Sequence, residues 1–164
     1  MTNLTPPIPP RNLLAVDVGL RTGLAYYDQD GRLQWYRSRH FGSPSHLRRG
    51  IAAIFNDLPE LSWLILEGGG TLAEIWKREA KRRRLACQWV SAEQWRRQLL
   101  LPREQRHGSD AKSHADHLAR RVIDWSGAPR PTSLRHDAAE AILIGLWGAV
   151  QTGLLPNIPA VIRH

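Results

Sequence analysis

Four acidic residues stand where a chain normally places apolar side chains or simple helix caps. Asp17 interrupts one apolar run, Glu67 ends another, and Asp137 and Glu140 open an apolar segment near the C-terminus. Runs this hydrophobic are typical of strands inside a sheet. Burying an unpaired carboxylate costs several kcal/mol, so each acid needs a partner. Three separate segments with the same feature indicate one shared partner, and the pattern predicts a divalent-metal site.

Two of these acids also have an ordinary structural interpretation. Asp17 precedes Gly19 closely and could end a strand at a turn, while Glu67 could cap the helix that follows the glycine triplet 68–70. The triplet would also let a nucleic-acid strand approach the backbone closely, because glycine has no Cβ. Neither Gly-Lys-Ser/Thr nor GxGxxG is present here, which argues against a phosphate-binding loop.

Asp137 and Glu140 have the spacing of a capping box, and a helix dipole stabilises acids in the first turn. Residues three apart also share one helix face, so the same spacing can present two oxygens to one metal. His136 precedes them and could act as a further metal ligand, as an acid for the leaving group, or only as a partly exposed neighbour. From the sequence alone, Asp137 and Glu140 could be helix-capping residues, metal ligands, or both.

A basic helix is predicted directly after Glu67. A run of charges is often only a solvated face, but Lys and Arg contacts to phosphate dominate nucleic-acid affinity. The run beside the proposed site therefore predicts a nucleic-acid-binding surface made of Lys77, Arg78, Lys81, Arg82, Arg83 and Arg84. Further arginines extend this basic surface: Arg96, Arg97, Arg103, Arg106, Arg120 and Arg121.

Other side chains have two interpretations each. Lys112 borders the apolar arc of the helix predicted over 110–125, where it could extend to solvent or hold a phosphate beside the acids. His114 and His117 have a spacing that zinc could use, but they lie towards the polar side. Trp76 and Trp95 lie in basic helices and could stack on bases, although core packing is the simpler interpretation.

Composition favours a single intracellular domain with a polyanionic partner. The chain has 164 residues, one cysteine (Cys87) and a net charge of +8 with a pI near 10.7. The charge fits nucleic acid or an anionic membrane surface, and a lone cysteine excludes an internal disulfide. No apolar stretch approaches the roughly 20 residues of a membrane span, and the N-terminus lacks the features of a signal peptide. We expect a cytoplasmic protein, nucleoid-associated if bacterial.

The element order predicted is β-β-β-α-β-α-β-α-α-α, an α/β mixed sheet flanked by helices. Strands are predicted over 12–18, 22–28, 32–40, 62–67 and 85–90, with an Asp30-Gly31 hairpin turn. Helices are predicted from 43–45 to Pro59, over 71–84, from Ser91, over 110–125 and over 137–151. The domain then spans 12–151, between a flexible Pro-rich N-terminus (1–11) and a peripheral C-terminal tail (152–164), with a mobile basic loop over 101–109.

The ordered set of motifs resembles the RuvC family of Holliday-junction resolvases in the RNase H-like superfamily. The matching segments, between about residues 12 and 150, are LLAVDVGLRTGLA (13–25), LILE (64–67), GSDAKS (108–113) and HDAAEAILI (136–144). The resemblance implies an RNase H-like fold with a five-stranded mixed sheet, β1–β3 antiparallel, and helices on both faces. It also implies catalytic and metal-binding roles for Asp17, Glu67, Asp137 and Glu140. Lys112 matches the family's basic residue ahead of its penultimate helix, which implies a catalytic and nucleic-acid-binding role for it.

The chemistry implied by this resemblance is hydrolysis of DNA with two metal ions. The acids would hold two Mg²⁺ ions, for which Mn²⁺ can substitute, and cleavage would leave a 5′ phosphate. Clustered acids without metal should repel one another and raise some of their pKa values. The family acts on branched DNA in recombination and repair as homodimers.

The chain departs from the family in two places. Its last acid is Glu140 where aspartate is usual, and glycines follow Glu67 where members carry bulkier residues, including an aromatic that engages the junction. Two alternatives stay open: a YqgF-like RNA-processing nuclease, and a non-catalytic nucleic-acid-binding module on the same fold. A four-way junction, another branched DNA and an RNA–DNA hybrid all remain possible substrates.

Overall fold

The computed structural model describes residues 11–101 and 108–163, without the side chains of 108–110. Five strands are formed by β1 (Asn12–Asp17), β2 (Arg21–Tyr27), β3 (Leu33–His40), β4 (Leu61–Glu67) and β5 (Ala86–Val90). The helices are α1 (Pro44–Asn56), α2 (Gly70–Arg82), α3 (Ala92–Leu99), α4 (Gly108–Ser126), α5 (His136–Gln151) and α6 (Ala160–Arg163). Nearly all of the predicted N-terminal leader, most of the predicted basic loop, and with it Arg103 and Arg106, lie outside the described residues.

The five strands form one mixed sheet in the order β3-β2-β1-β4-β5. Strands β1, β2 and β3 are antiparallel neighbours, and β1, β4 and β5 are parallel neighbours. The predicted α/β architecture and its antiparallel first three strands are confirmed. Strand β1 is therefore central, with an antiparallel partner on one side and a parallel partner on the other.

Alternation along β1 separates two hydrophobic cores. Leu13 and Ala15 belong to the core shared with α4 and α5, whereas Leu14 and Val16 belong to the core shared with α1 and α2. Successive side chains of a strand point to opposite faces. Asp17 is the next odd position, so the alternation directs it to the α5 face.

Helix α5 is the centre of the first core. Every residue from Ala138 to Ala149 is buried, so this helix has no polar face. Its backbone approaches the sheet closely at Gly145, where a Cβ would lie 2.2 Å from the ring of Tyr27. The Tyr27 hydroxyl donates a hydrogen bond to the carbonyl oxygen of Ile142. These contacts fix the height of α5 above β1 and β2.

The structure changes the sequence interpretation of the C-terminal segment and agrees with the core interpretation of Trp76 and Trp95. The C-terminal segment is not merely peripheral, because Leu155 and Ile162 are buried and Arg121 of α4 donates to the Ile162 carbonyl oxygen at 3.2 Å. Trp76 and Trp95 are completely buried, so they are core residues and do not offer a face for base stacking. Among the described helices, none combines the length and apolar character needed to cross a membrane.

Candidate metal centre

Two predicted site acids are opposed to each other in the parallel sheet. Asp17 is the last residue of β1 and pairs in register with Glu67, the last residue of β4. Ile65 lies in the α5 core, so alternation places Glu67 on the same face as Asp17. The carboxyl ends of neighbouring parallel strands meet at one edge of a sheet, and both carboxylates stand at that edge.

The third acid, Glu140, lies in the first turns of α5. Gly23 pairs with Asp17 on the other side of β1, and a Cβ on Gly23 would lie 1.9 Å from the carbonyl oxygen of Asp137. Helix α5 therefore begins directly over β2, beside the end of β1. Carboxylate oxygens from Asp17, Glu67 and Glu140 all lie within 4.8 Å of one another. We call these three side chains the carboxylate cluster.

The partly buried position of the carboxylate cluster changes the pKa values of its acids. Burial, a hydrogen bond with Glu67, and the charges of Glu140, Glu67 and Asp137 raise the pKa of Asp17 to about 8. Burial and the charge of Glu140 raise the pKa of Glu67, although its hydrogen bond with Asp17 and the positive charge of Arg96 oppose that rise. The pair formed by Asp17 and Glu67 therefore retains a proton to a higher pH than isolated carboxyl groups do. The expectation that clustering raises these pKa values is met for both strand acids.

Arg96 places its guanidinium group against the carboxylate cluster. Its Nη2 lies 2.8 Å from Oε1 of Glu140, whose side chain is only 7% exposed. His136, one turn before Glu140 on α5, places Nε2 at 3.0 Å from the same oxygen. Arg96 is oriented by α3, which starts with a capping box between Ser91 and Gln94. The sequence assigned Arg96 only to a general basic surface.

Asp137 lies beside the carboxylate cluster and not within it. One of its oxygens accepts a hydrogen bond from the Ser38 hydroxyl at 2.7 Å, and the other accepts from the Ala138 amide at 2.9 Å. Its charge nevertheless reaches Asp17, whose pKa it helps to raise. Ser38, on β3, was not singled out in the sequence.

The capping-box interpretation of α5 does not hold. The helix begins at His136, and its N-cap is Arg135, whose side chain makes no capping hydrogen bond. Glu140 is buried against its two basic neighbours. Its carboxylate faces the strand ends, where one of its oxygens lies within 4.8 Å of oxygens of Asp17 and Glu67.

Lys112, His114 and His117 are exposed residues of α4 and do not belong to the carboxylate cluster. Lys112 is exposed on α4, and in the described structure it forms no hydrogen bond or ion pair with a cluster carboxylate. His114 and His117 are also exposed on α4. The group of possible metal ligands found among the described residues is the carboxylate cluster.

The basic run of α2 is partly neutralised by its own helix. Lys77 pairs with Glu74 at 3.3 Å, while Arg82 and Arg83 both pair with Glu79, at 3.3 and 2.9 Å. Surface pairs of this kind contribute little to stability, so Lys77 and Arg82 remain available to other anions. Arg83 also donates to Asn56 and to the Ala52 carbonyl oxygen, so it is held between α2 and α1. The remaining cations of the run are exposed: Arg78, Lys81 and Arg84.

The cluster fits a hard divalent cation. Its donors are carboxylate oxygens from three different elements, which is the ligand type that Mg²⁺, Mn²⁺ and Ca²⁺ favour. Burial, together with repulsion between the acids, raises the pKa values of Asp17 and Glu67, and a bound cation would favour their charged forms. Asp17 and Glu67 are fixed by sheet pairing and Glu140 by a buried helix, so the donor set is held by the fold.

Comparison with known proteins defines the fold of the chain. No protein-family model matches the sequence, and no curated protein matches it. Among solved structures, T. thermophilus RuvC in complex with a Holliday junction substrate aligns with a TM-score of 0.63 and 14% identity, over 91% of this chain and 99% of that one. The chain therefore has a RuvC-like, RNase H-like fold.

Two viral proteins align less well. The catalytic core domain of BIV integrase gives a TM-score of 0.37 and 9% identity, over 84% of this chain and 82% of that one. The simian T-cell lymphotropic virus intasome, solved with the PP2A regulatory subunit B56 gamma, gives a TM-score of 0.33 and 12% identity, over 87% of this chain and 50% of that one. These likenesses are too distant to refine the assignment.

Proposed function

We propose that this protein is a divalent-metal-dependent endonuclease that cleaves branched DNA, with the Holliday junction as its leading substrate. The observation that carries this proposal is the convergence of Asp17, Glu67 and Glu140 at one sheet edge of a RuvC-like fold. The aligned RuvC was solved with a Holliday junction substrate, and the net charge of +8 suits a polyanionic partner.

The carboxylate cluster would hold the metal, with Asp137 as a further ligand beside it. Two Mg²⁺ ions, or Mn²⁺ in their place, would supply an activated water and stabilise the leaving 3′ oxygen, so that the product carries a 5′ phosphate. Asp17 must release its proton when the site is loaded, because a metal ligand acts as the carboxylate. Asp17 and Glu67 share a hydrogen bond before loading, and both carboxylates become free to act as ligands once the shared proton has left.

Basic residues would orient the DNA around the cluster. Lys112 is assigned a phosphate contact by its position in the family pattern, and the basic face of α2 would bind the phosphate backbone further out. Two active sites are needed to cut two strands of a junction symmetrically, which favours a homodimer. The protein would act in recombination or repair in the cytoplasm.

A gel assay with four substrates tests this proposal. A four-way junction, a fork, a linear duplex and an RNA–DNA hybrid are incubated with the protein, with Mg²⁺ or with chelator. We expect cleavage of the junction and the fork that requires Mg²⁺ and is lost in Asp17→Asn. Preferential cleavage of RNA would support an RNA-processing nuclease, and binding without cleavage in any metal would support a non-catalytic module.

A further inference from the structure

Four residues form one row across the sheet at the level of the carboxylate cluster. Gly23 of β2 pairs in register with Asp17 of β1 on one side and with Ser38 of β3 on the other. Asp17 also pairs with Glu67 of β4. Register partners in neighbouring strands present their side chains to the same face of the sheet, which here is the face covered by α5. Ser38 therefore stands two strands from Asp17 in the same row.

Asp137 of α5 lies above the middle of this row. A Cβ on Gly23 would meet the Asp137 carbonyl oxygen at 1.9 Å, so the backbone of Asp137 sits over β2. Neighbouring strands are about 4.8 Å apart, which puts Ser38 one strand away on one side and Asp17 one strand away on the other. The Asp137 side chain can therefore turn to either neighbour by a change of rotamer.

In the structure the Asp137 carboxylate is turned to Ser38. Its Oδ2 accepts a hydrogen bond from the Ser38 hydroxyl at 2.7 Å, and its Oδ1 accepts from the amide of Ala138 at 2.9 Å. Both oxygens are thereby engaged beside the carboxylate cluster, to which Asp137 does not belong. The charge of Asp137 still helps to raise the pKa of Asp17, so this carboxylate is held at the border of the cluster.

Charge balance gives a physical reason for this separation. The three ionised acids of the cluster carry three negative charges, which one divalent cation and the Arg96 guanidinium together balance. A fourth carboxylate would add repulsion where repulsion already raises the pKa of Asp17. A second divalent cation changes this balance and favours one more carboxylate. Asp137, one strand away, can supply it.

We propose that Ser38 is a positioning residue that holds Asp137 away from the carboxylate cluster, and that Asp137 turns from Ser38 towards Asp17 when a second divalent cation is bound. We call the Ser38–Asp137 hydrogen bond the latch. This inference rests on the proposed nuclease function, whose chemistry uses two metal ions. Binding at the second site costs the latch, and apparent affinity falls with the fraction of molecules in the competent arrangement. Ser38 therefore weakens the second metal site and leaves the first unchanged.

Counting bound Mn²⁺ ions tests the latch without DNA. The full chain is titrated with Mn²⁺ alone, and the bound ions are counted by equilibrium dialysis and electron paramagnetic resonance. We expect the wild type to fill one site tightly and a second site more weakly. Ser38→Ala should tighten the second site roughly three- to tenfold, the range of one hydrogen bond, and leave the first site unchanged. Ser38→Thr keeps the hydroxyl and should bind Mn²⁺ as the wild type does.

Two further variants distinguish the latch from a merely structural contact, and thermal melts verify that each is folded. Adding Asp137→Asn to Ser38→Ala should cancel the gain, because the released carboxylate is then missing. The matched control is Ser126→Ala, which removes a hydroxyl that accepts from the Leu33 amide at 3.0 Å at the start of β3 and should bind Mn²⁺ as the wild type does.

Three results would overturn the latch. The first is weaker or unchanged binding at the second site in Ser38→Ala, as expected if Ser38 only supports Asp137. The second is a gain that persists when Asp137→Asn is added. The third is a single Mn²⁺ ion bound by both the wild type and Ser38→Ala.

The outcomes separate this inference from the nuclease proposal. If the wild type cleaves no DNA in Mg²⁺ while Ser38→Ala tightens the second Mn²⁺ site through Asp137, the nuclease proposal fails and the latch stands. If cleavage requires Mg²⁺ and Asp17 while Ser38→Ala binds Mn²⁺ as the wild type does, the latch fails and the nuclease proposal stands.

Discussion

The α-carbon of Gly23 lies directly beneath the carbonyl oxygen of Asp137, so closely that a Cβ would stand 1.9 Å from that oxygen. Gly23 is also the register partner of Asp17 across β1 and β2. One glycine thereby sets the distance between the strand end that carries Asp17 and the helix start that carries Glu140. The absence of a side chain at this position is part of the geometry of the site.

Gly23→Ala should therefore damage metal binding more than a methyl group normally would. The opposing atom belongs to the backbone, so α5 must shift away from the sheet, at a cost of about 1–3 kcal/mol in unfolding free energy. We expect at least a tenfold loss of Mn²⁺ affinity in calorimetry. The control is Gly42→Ala, where the nearest atom would be 4.0 Å from the new Cβ; similar behaviour of the two variants would contradict this role for Gly23.

Glu140 and Asp137 should contribute unequally to metal binding. Glu140 belongs to the carboxylate cluster, whereas both oxygens of Asp137 already accept hydrogen bonds, from Ser38 and Ala138. Glu140→Gln should lower Mg²⁺ affinity by more than Asp137→Asn, about tenfold more if one direct ligand is lost. Isothermal titration with Mg²⁺ and Mn²⁺ measures both, and the reverse ranking would show that Asp137 is the primary ligand.

The metal-free protein should lose stability as the pH rises from about 4 to 8. The pKa of Asp17 rises from 3.8 to about 8 on folding, so across this range the folded protein holds a proton that the unfolded chain has released. Proton binding to the folded state stabilises it at low pH, and that contribution is lost as the pH approaches 8. The neighbouring charges that face Asp17 are Glu67, Glu140 and Asp137, and all three oppose its ionisation.

Thermal melts at pH 5 and pH 8, with chelator and with Mg²⁺, measure this effect. Mg²⁺ should stabilise the protein more at pH 8, because its ligands must be deprotonated. Asp17→Asn should show a flatter pH dependence in chelator. A wild-type melting temperature that rises from pH 5 to pH 8 without metal would be incompatible with the raised pKa of Asp17.

Arg96 should stabilise the folded protein more when metal is absent than when it is bound. It contacts the buried Glu140 at 2.8 Å, so Arg96→Gln removes one charged partner of a buried carboxylate. The Arg96 side chain is 34% exposed, and solvent screening limits the expected loss to about 1–2 kcal/mol in chelator. Saturating Mg²⁺ should reduce that loss, since the metal supplies the opposite charge. Denaturant titrations that give the same loss with and without Mg²⁺ would argue against this.

The sequence predicted the strand acids because their signal is local. Asp17 and Glu67 each break or end a hydrophobic strand, and alternation then directs both to one face. The role of Glu140 was ambiguous in the sequence, because a capping box and a pair of metal ligands have the same spacing. Only the observed start of α5 at His136 rules out the capping box. Arg96 and Ser38 gave no local signal, because they meet Glu140 and Asp137 from 44 and 99 residues away in the chain.

Substitution of one atom in Asp17 tests the central claim most directly. Asp17→Asn removes a ligand charge from the cluster and leaves its size nearly unchanged. The initial rate of junction cleavage in Mg²⁺ should fall at least a thousandfold, while junction binding in chelator stays within about twofold of the wild type. Cleavage by Asp17→Asn at the wild-type rate would contradict the assignment of this cluster as a catalytic metal centre.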